Sequence, residues 1–159
     1  MEREGSSGAE AQAGKATGER RIAGRAIVAG EASGEALVSS EPLSFWGGYD
    51  FETGTIIDKR HPLVGVRAAG RVLAVPFTKG SSTTTAVLLE AVRAGTAPAA
   101  ILTTGVDSFF ALASIVADVM YGKAFPVVAL EAEDFARLRT GLPVAIERSG
   151  TVRVMQPSA

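Results

Sequence analysis

The sequence predicts a layered α/β domain, and three observations lead to that prediction. The chain has 159 residues, of which 47% are hydrophobic, and this is enough to form one core of ordinary size. Short apolar runs separated by glycines occupy its first part, as in β-strands joined by turns. In its second half, apolar runs alternate with segments of helical periodicity, which is typical of βαβ units and a parallel sheet.

The composition also limits the possible functions. The formal net charge is −1 and no basic cluster is present, which argues against nucleic acid as the main partner. Cysteine is absent, so this chain cannot hold an iron–sulfur cluster through thiolates, and we expect no metal site in it. No apolar run reaches the roughly 20 residues that cross a bilayer. The N-terminus lacks the apolar core of a signal peptide, so we expect a cytoplasmic protein without membrane contact.

The first part of the chain divides into a tail and the start of the domain. Residues 1–20 are predicted to be a disordered tail because small and charged residues dominate and bulky side chains are nearly absent. The domain then covers residues 21–155. Residues 22–28 and 35–39 are predicted strands joined by a turn. An aromatic loop follows at residues 42–50, and it either closes one end of the fold or forms a surface for a partner or substrate.

Some polar side chains after this loop are weak site candidates. Asp50, Glu52 and Asp58 flank a Thr-Gly pair, and we interpret them as solvated turn carboxylates. His61 is the only histidine and has no suitably spaced partner. It is therefore a weak signal for catalysis or metal binding.

The second half predicts a regular series of elements. They are a strand at 71–75, a helix at 82–94, a strand at 98–103, an amphipathic helix that ends at Gly122, a strand at 126–130, a short helix at 132–139, and a hairpin at 144–154 that turns at Ser149-Gly150. The first three form a βαβ unit with a parallel strand pair.

The amphipathic helix carries a stripe of apolar residues at helical spacing. The stripe comprises Phe109, Leu112, Ala113, Val116, Val119 and Met120. Ser114 and Asp118 are expected on the opposite face. We therefore expect the stripe to pack in the core against the sheet.

The stretch from Pro76 to Thr85 joins a strand, a tight loop and a helix start. Gly80 permits a sharp turn, and the hydroxyl residues after it can accept hydrogen bonds from the free N–H groups of a first helical turn. The same N–H groups and the helix dipole favour a carboxylate or phosphate. The loop also follows a parallel strand, at the edge where ligands collect. Helix capping alone is the simpler explanation of Ser81 to Thr85.

Two common catalytic motifs do not fit this stretch. Lys79 precedes Gly80, and no upstream glycine has the spacing of a phosphate-binding P-loop. A serine hydrolase would need a GxSxG elbow and a histidine–acid pair, which His61 alone does not provide.

Several separated motifs resemble the small subunit of aconitase X. They are Leu43-Ser44-Phe45-Trp46-Gly47-Gly48, Thr53-Gly54, Asp58, His61-Pro62-Leu63, Gly80-Ser81-Ser82-Thr83, Ala97-Pro98-Ala99-Ala100-Ile101 and Thr103-Thr104-Gly105. They occur in the family's order between about Arg21 and Leu142. The resemblance implies the swivelling β/β/α layered domain of the aconitase superfamily, with a mixed sheet, which closes over a cluster-bearing large subunit.

The resemblance also implies roles for individual residues. Gly80-Ser81-Ser82 is similar to the Gly-Ser-Ser segment of aconitases, so Ser81 would be the catalytic proton acceptor and Ser82 a substrate contact. Lys79, Gly80 and Thr83 are further candidate substrate-binding residues. Thr83 stands where aconitases proper have an arginine that binds a carboxylate, which argues against a tricarboxylate substrate.

A serine hydroxyl is a weak base, so further groups are needed to stabilise its alkoxide. A helix N-terminus stabilises a negative charge by only about 0.3 to 2 kcal/mol. The Ser81 alkoxide would therefore need the N–H groups after Gly80, Lys79, and cationic groups or metal from the large subunit.

The family implies a hydro-lyase that acts on a small hydroxy acid and is active only with its large subunit. An iron or iron–sulfur centre on that subunit would act as a Lewis acid on the leaving hydroxyl. Bacterial members act on cis-3-hydroxy-L-proline and archaeal members on mevalonate 5-phosphate. Residues 83–85 and 107–114 resemble the bacterial type. A non-catalytic anion-binding module is the competing hypothesis.

Overall fold

The computed structural model describes residues 18–79 and 83–156. Its strands are β1 Glu19–Ala23, β2 Arg25–Val28, β3 Ala32–Val38, β4 Tyr49–Asp50, β5 Thr55–Ile56, β6 Val72–Ala74, β7 Ala100–Thr103, β8 Val127–Ala129, β9 Pro143–Ile146 and β10 Thr151–Met155. Its helices are α1 Thr83–Ala94, α2 Ser108–Tyr121 and α3 Ala132–Ala136. β1 begins inside the interval 1–20 that was predicted as a tail, and residues 1–17 lie outside the described residues.

Eight strands form one mixed sheet in the order β1-β10-β9-β3-β6-β7-β8-β2. From β1 to β3 the neighbours are antiparallel, and from β3 to β8 they are parallel. β3 belongs to both halves, since residues 32–35 pair with β9 and residues 36–38 pair with β6. The predicted βαβ unit, formed by β6, α1 and β7, and the closing hairpin of β9 and β10 are confirmed.

The sheet curves until its two edge strands meet. The edge strands β1 and β2 are consecutive in the chain and are separated only by Gly24. At Gly24 the backbone lies against the Val128 side chain of β8 and the Gly150 carbonyl of the β9–β10 turn. The predicted single strand at 22–28 is therefore two strands, because the chain turns a corner of the sheet at a residue without a side chain.

Two apolar clusters separate three layers. The interior cluster lies between the two halves of the sheet and contains Ile22, Ala36, Val72, Ala74, Ala100, Leu102, Val128, Leu130, Phe135, Leu138, Val144, Ile146, Val152 and Val154. The helix-side cluster lies between the parallel half and the layer of α1, α2 and the segment before β6. Val72 and Ala74 belong to the first cluster and Leu73 to the second, as the alternation of a strand requires. The predicted β/β/α layering is confirmed.

The helix α2 turns a different face to the core from the one that was predicted. Its buried residues are Phe110, Ala113, Ser114 and Ala117. Val119 is 81% exposed, Met120 59%, Ile115 52% and Leu112 48%. Of the predicted stripe, Ala113 is buried and Phe109 and Val116 are half-buried. The prediction of core packing was wrong for Leu112, Val119 and Met120, and Ser114, which was predicted on the opposite face, is buried.

The physical reason lies in the contacts of the buried face. The Ser114 hydroxyl donates to the Phe125 carbonyl at 2.6 Å and accepts from the Phe125 N–H at 3.0 Å, so its burial leaves no polar group unpaired. Phe110 packs edge-on against Phe45 with 5.6 Å between ring centroids. Ala113 and Ala117 are small enough to be enclosed beside α1, with which α2 makes extensive contact.

The aromatic loop is divided between core and surface. Phe45 and Tyr49 are buried and their rings stack at 5.1 Å. The Tyr49 hydroxyl donates to the Thr96 carbonyl at 2.7 Å, and burial raises the pKa of this hydroxyl. Trp46 is 70% exposed. The loop thus closes the helix-side cluster and also presents an aromatic side chain outward.

The remaining polar candidates have structural roles. His61 is buried; its Nδ1 accepts from the Leu63 N–H, which assigns the proton to Nε2, 3.3 Å from the Glu41 carbonyl. Asp50 and Asp58 each accept a backbone N–H two residues later, as turn carboxylates do. Across residues 18–79 and 83–156 no group of three potential metal ligands occurs, and no helix there could span a membrane.

The corner at Gly24 yields a stability prediction. A Cβ there would clash with Val128 Cγ1 and would lie 2.7 Å from the Gly150 carbonyl oxygen. We expect Gly24→Ala to lower the free energy of unfolding by about 1–3 kcal/mol because overpacking forces backbone shifts. Urea denaturation measures the change.

Gly105→Ala is the matched control, since a Cβ at Gly105 meets no atom within 4 Å and neither glycine has a positive φ. This control should change stability by less than about 1 kcal/mol. Equal stability of the two variants would contradict the close contact at the corner.

Candidate functional site

The candidate site lies at the carboxyl ends of the parallel strands. Because β3, β6, β7 and β8 run in one direction, the loops that follow them share one edge of the sheet. The loop after β6 leads through Lys79 to α1, which begins at Thr83. Gly80, Ser81 and Ser82 lie outside the described residues, so their roles remain predictions, while the structure describes the chain on both sides of them.

One carboxylate joins this loop to the neighbouring helix. Asp107 Oδ2 accepts from the Thr78 N–H at 2.7 Å and from the Thr78 hydroxyl at 3.0 Å. Asp107 Oδ1 accepts from the N–H groups of Phe109 at 3.1 Å and Phe110 at 3.2 Å, so Asp107 is also the N-cap of α2. Asp107 is only 8% exposed, and its two carboxylate oxygens accept four hydrogen bonds from these donors.

Backbone contacts hold the same loop from two other segments. Leu43 forms a parallel bridge with Thr78, and the Leu43 carbonyl accepts from the Lys79 N–H at 3.0 Å. The Thr104 N–H and hydroxyl both approach the Pro76 carbonyl, at 3.2 and 3.3 Å. The chain that enters Gly80 is therefore held by the loops after β3 and after β7.

The other predicted site residues lie around this loop. Lys79 is exposed, and no ion pair is formed by it within the described part of the chain. Thr83 is half-buried at the first position of α1. Thr84 is buried, and the Thr85 hydroxyl donates to the Phe109 carbonyl at 3.4 Å, so these two threonines pack α1 into the domain.

Asp107 is the residue at this edge that the sequence analysis missed. An aspartate directly before an apolar helical segment is a typical N-cap signal. That signal predicts the contact with α2. The contact with Thr78 depends on the parallel pairing of β6 and β7, which brings the two loops together.

A cavity of about 370 Å³ opens at the same edge. Val38 at the end of β3, Pro76 after β6 and Thr104 after β7 line it, together with α3 and Arg139. Its position beside Pro76 makes it the candidate space for a small ligand near the loop. A larger depression of about 700 Å³ lies at the opposite end of the sheet, where Arg153 and Glu147 pair at 3.1 Å.

The two roles of Asp107 generate a prediction. In Asp107→Ala, the N–H and the hydroxyl of Thr78 lose their shared acceptor and α2 loses its cap, so we expect the free energy of unfolding to fall by about 1–3 kcal/mol. We also expect the amide hydrogens of Thr78 and Phe109 to exchange more than tenfold faster, as measured by NMR hydrogen exchange.

Asp118→Ala, which removes an exposed carboxylate from the same helix, serves as the control and should leave both exchange rates unchanged. Unchanged exchange at Thr78 in Asp107→Ala would show that the loop does not depend on this side chain.

Comparison with known proteins matches this chain to one family. The family model "Aconitase X swivel domain" matches residues 21–154. The cis-3-hydroxy-L-proline dehydratase of Pseudomonas aeruginosa is 47% identical over 109 residues, which are 69% of this chain and 19% of that relative. The protein of the same name from Hypocrea jecorina is 38% identical over 84% of this chain and 22% of its own length. The chain therefore spans about a fifth of the length of these two relatives.

Other relatives are of similar length to this chain. The phosphomevalonate dehydratase small subunit of Thermococcus kodakarensis is 34% identical over 86% of this chain and 97% of its own length. The crystal structure of aconitase X from the same organism, in its holo-form, has a TM-score of 0.77 at 34% identity and covers 86% of this chain and 99% of its own chain. The match of the family model over residues 21–154, on a fold with the same layers, shows that this chain belongs to the aconitase X family as its swivel domain.

Proposed function

We propose that this chain is the small subunit of a two-subunit hydro-lyase that dehydrates cis-3-hydroxy-L-proline. The observation that carries the proposal is the position of the loop leading to Ser81. Asp107 and Leu43 hold this loop at the carboxyl edge of the parallel strands, beside the cavity of about 370 Å³. In the aconitase X fold this arrangement would present Ser81 to a substrate at the edge of the domain.

The choice of substrate is supported by similarity. The P. aeruginosa relative named for cis-3-hydroxy-L-proline is 47% identical, against 34% for the T. kodakarensis relative named for phosphomevalonate. A specific observation favours mevalonate 5-phosphate as the second candidate. The T. kodakarensis relative is named as a phosphomevalonate dehydratase small subunit, and the match covers 97% of its length, against 19% for the P. aeruginosa relative.

Ser81 would act as the proton acceptor. As its alkoxide oxygen takes the proton from the α-carbon, that C–H electron pair forms the carbon–carbon double bond, and the C3–O bond breaks to release hydroxide. Transfer of the proton now held by Ser81 to this hydroxide gives water and regenerates the alkoxide. The product is an enamine-type proline derivative that can rearrange to an imine. Ser82 and Thr83 would contact the substrate.

The surroundings of the loop favour a negative charge on Ser81. α1 has no acidic residue in its first turn, so no side-chain carboxylate there opposes an alkoxide or an anionic substrate. Lys79, one residue before Gly80, would add a positive charge. These groups stabilise an alkoxide best where water is excluded, which would be the case once a large subunit covers this edge.

The residues of this chain do not fit a metal or iron–sulfur centre. The chain has no cysteine, and residues 18–79 and 83–156 contain no cluster of potential ligands. We therefore place any iron or iron–sulfur centre of the assembled enzyme on the large subunit.

The role of Ser81 can be tested in the enzyme assembled with its large subunit. We expect Ser81→Ala to lower the rate of anaerobic dehydration of cis-3-hydroxy-L-proline by about 10²–10⁴-fold, because a positioned base is lost. Co-purification must show that the complex still assembles. Ser149→Ala, in the exposed turn at the opposite end of the sheet, should keep the full rate.

A normal rate in Ser81→Ala would show that this serine is only a helix cap. If the unmodified complex does not turn over this substrate but dehydrates mevalonate 5-phosphate, the substrate choice is wrong and the serine is tested on the second substrate. Anion binding without turnover of either substrate would favour the non-catalytic module.

The outer face of α2 is proposed as a contact surface for the large subunit. Leu112, Ile115, Val119 and Met120 form one apolar stripe there, and Val119 is 81% exposed. A contiguous apolar face of this kind marks an interaction site. In the P. aeruginosa and H. jecorina relatives, about four fifths of the chain lies outside the matched domain, and the corresponding large subunit would supply the covering surface.

A charge on this face should weaken assembly. We expect Val119→Glu to raise the dissociation constant between the subunits at least tenfold, because a carboxylate would be desolvated in an apolar contact. Analytical ultracentrifugation or titration calorimetry measures it. Val64→Glu, at an exposed apolar residue away from α2, is the matched control. Equal affinity of both variants would exclude the α2 face from the interface.

A further inference from the structure

Three arginines line one cavity at the end of the sheet that carries the candidate site. The cavity has a volume of about 530 Å³, and its lining residues are Arg20, Arg137, Arg139, Leu142 and Gln156. No carboxylate is among these lining residues. In the described part of the chain, no ion pair is formed by any of the three arginines.

The strand β1 directs Arg20 into this cavity. Arg20 lies two residues before Ile22, whose side chain belongs to the interior cluster, so both side chains project from the same face of the strand. Its register partner on β10, Val154, also belongs to the interior cluster. Arg20 therefore lies at the mouth of the space between the two halves of the sheet.

The guanidinium of Arg20 is left without acceptors. Its Nε and Nη2 atoms are buried and have no hydrogen-bond partner within residues 18–79 and 83–156. A buried charged donor without an acceptor is unfavourable, since it has lost water and gained nothing in exchange. An anion in the cavity would supply the acceptor.

The cavity adjoins the candidate substrate space. β1 begins and β10 ends at the end of the sheet where β3 and β6 finish, as the strand pairings require. Arg139 lines both this cavity and the one beside Pro76 and Thr104. The Arg139 Nη1 atom donates to the carbonyls of Ala136 and Leu138, each at 2.9 Å, which holds its guanidinium in place after α3.

We propose that the cavity of Arg20, Arg137 and Arg139 binds an oxyanion, namely the phosphate or carboxylate group of a small molecule. Three positively charged side chains line it without a carboxylate among the lining residues, and an oxyanion would give the buried Nε and Nη2 atoms of Arg20 an acceptor. The planar guanidinium group suits such a ligand because it donates two parallel hydrogen bonds to two oxygens. This site is separate from the Gly80-Ser81-Ser82 loop and does not depend on the proposed reaction.

Phosphate binding to the full chain tests the proposal. Inorganic phosphate is titrated while NMR follows the arginine Nε–H signals, and acetate is titrated in a parallel series. We expect saturable binding in the millimolar range with a shift of the Arg20 signal. A lower dissociation constant for phosphate than for acetate would identify a phosphoryl ligand. A lower dissociation constant for acetate would identify a carboxylate ligand.

Single substitutions locate the site. We expect Arg20→Gln and Arg137→Gln each to weaken phosphate binding at least tenfold. Arg148→Gln removes the same charge from the exposed turn at the opposite end and should leave binding unchanged. Arg137 is exposed, so Arg137→Gln decides the test even if the variant at the half-buried Arg20 fails to fold.

Three results would overturn the proposal. The first is that the arginine signals show no saturable shift with phosphate in the millimolar range. The second is that the folded Arg20→Gln and Arg137→Gln variants bind phosphate with normal affinity. The third is that Arg148→Gln loses as much phosphate affinity as they do, which would indicate binding to net charge alone.

Discussion

The buried carboxylate of Asp107 is the interaction on which the candidate site depends. It accepts two hydrogen bonds from Thr78 and two from the first turn of α2, so one side chain sets the loop after β6 relative to the helix after β7. A buried carboxylate is stable only when donors surround it. The loop and the helix start are thereby coupled, since neither can shift without leaving this charge unpaired.

The curved sheet determines what else faces that edge. Because β1 and β2 meet at Gly24, the antiparallel half folds over the parallel half and brings the start of β1 to the end where the parallel strands finish. Arg20 and the arginines after α3 thus lie near the loop that leads to Ser81, although they are far from it in sequence. A chain with a net charge of −1 acquires in this way a local concentration of positive charge in a cavity that shares Arg139 with the candidate substrate space.

The helix α2 has one face buried in the domain and an opposite face that exposes apolar side chains. α2 buries small residues and one paired serine against the domain and leaves its bulkiest aliphatic side chains outside. An exposed apolar face of this kind is typical of an interaction site. The exposed Trp46 adds a further apolar side chain to the surface, while Phe45 and Tyr49 of the same loop complete the core.

The sequence by itself determined the element order from β6 onward, the βαβ unit, the closing hairpin and the family, because strand alternation, glycine stops and short motifs are local signals. It also identified the loop at Lys79 from the chemistry of a helix start. Tertiary structure alone decided which face of α2 is buried, because helical periodicity identifies an apolar stripe but not the surface against which it packs. Ser114 can be buried only because its hydroxyl is paired with the backbone of Phe125. It likewise decided the pairing of Asp107 with Thr78, 29 positions apart, because the parallel pairing of β6 and β7 brings their loops together. It also placed Arg20 in one cavity with Arg137 and Arg139, which lie more than 100 positions further along the chain.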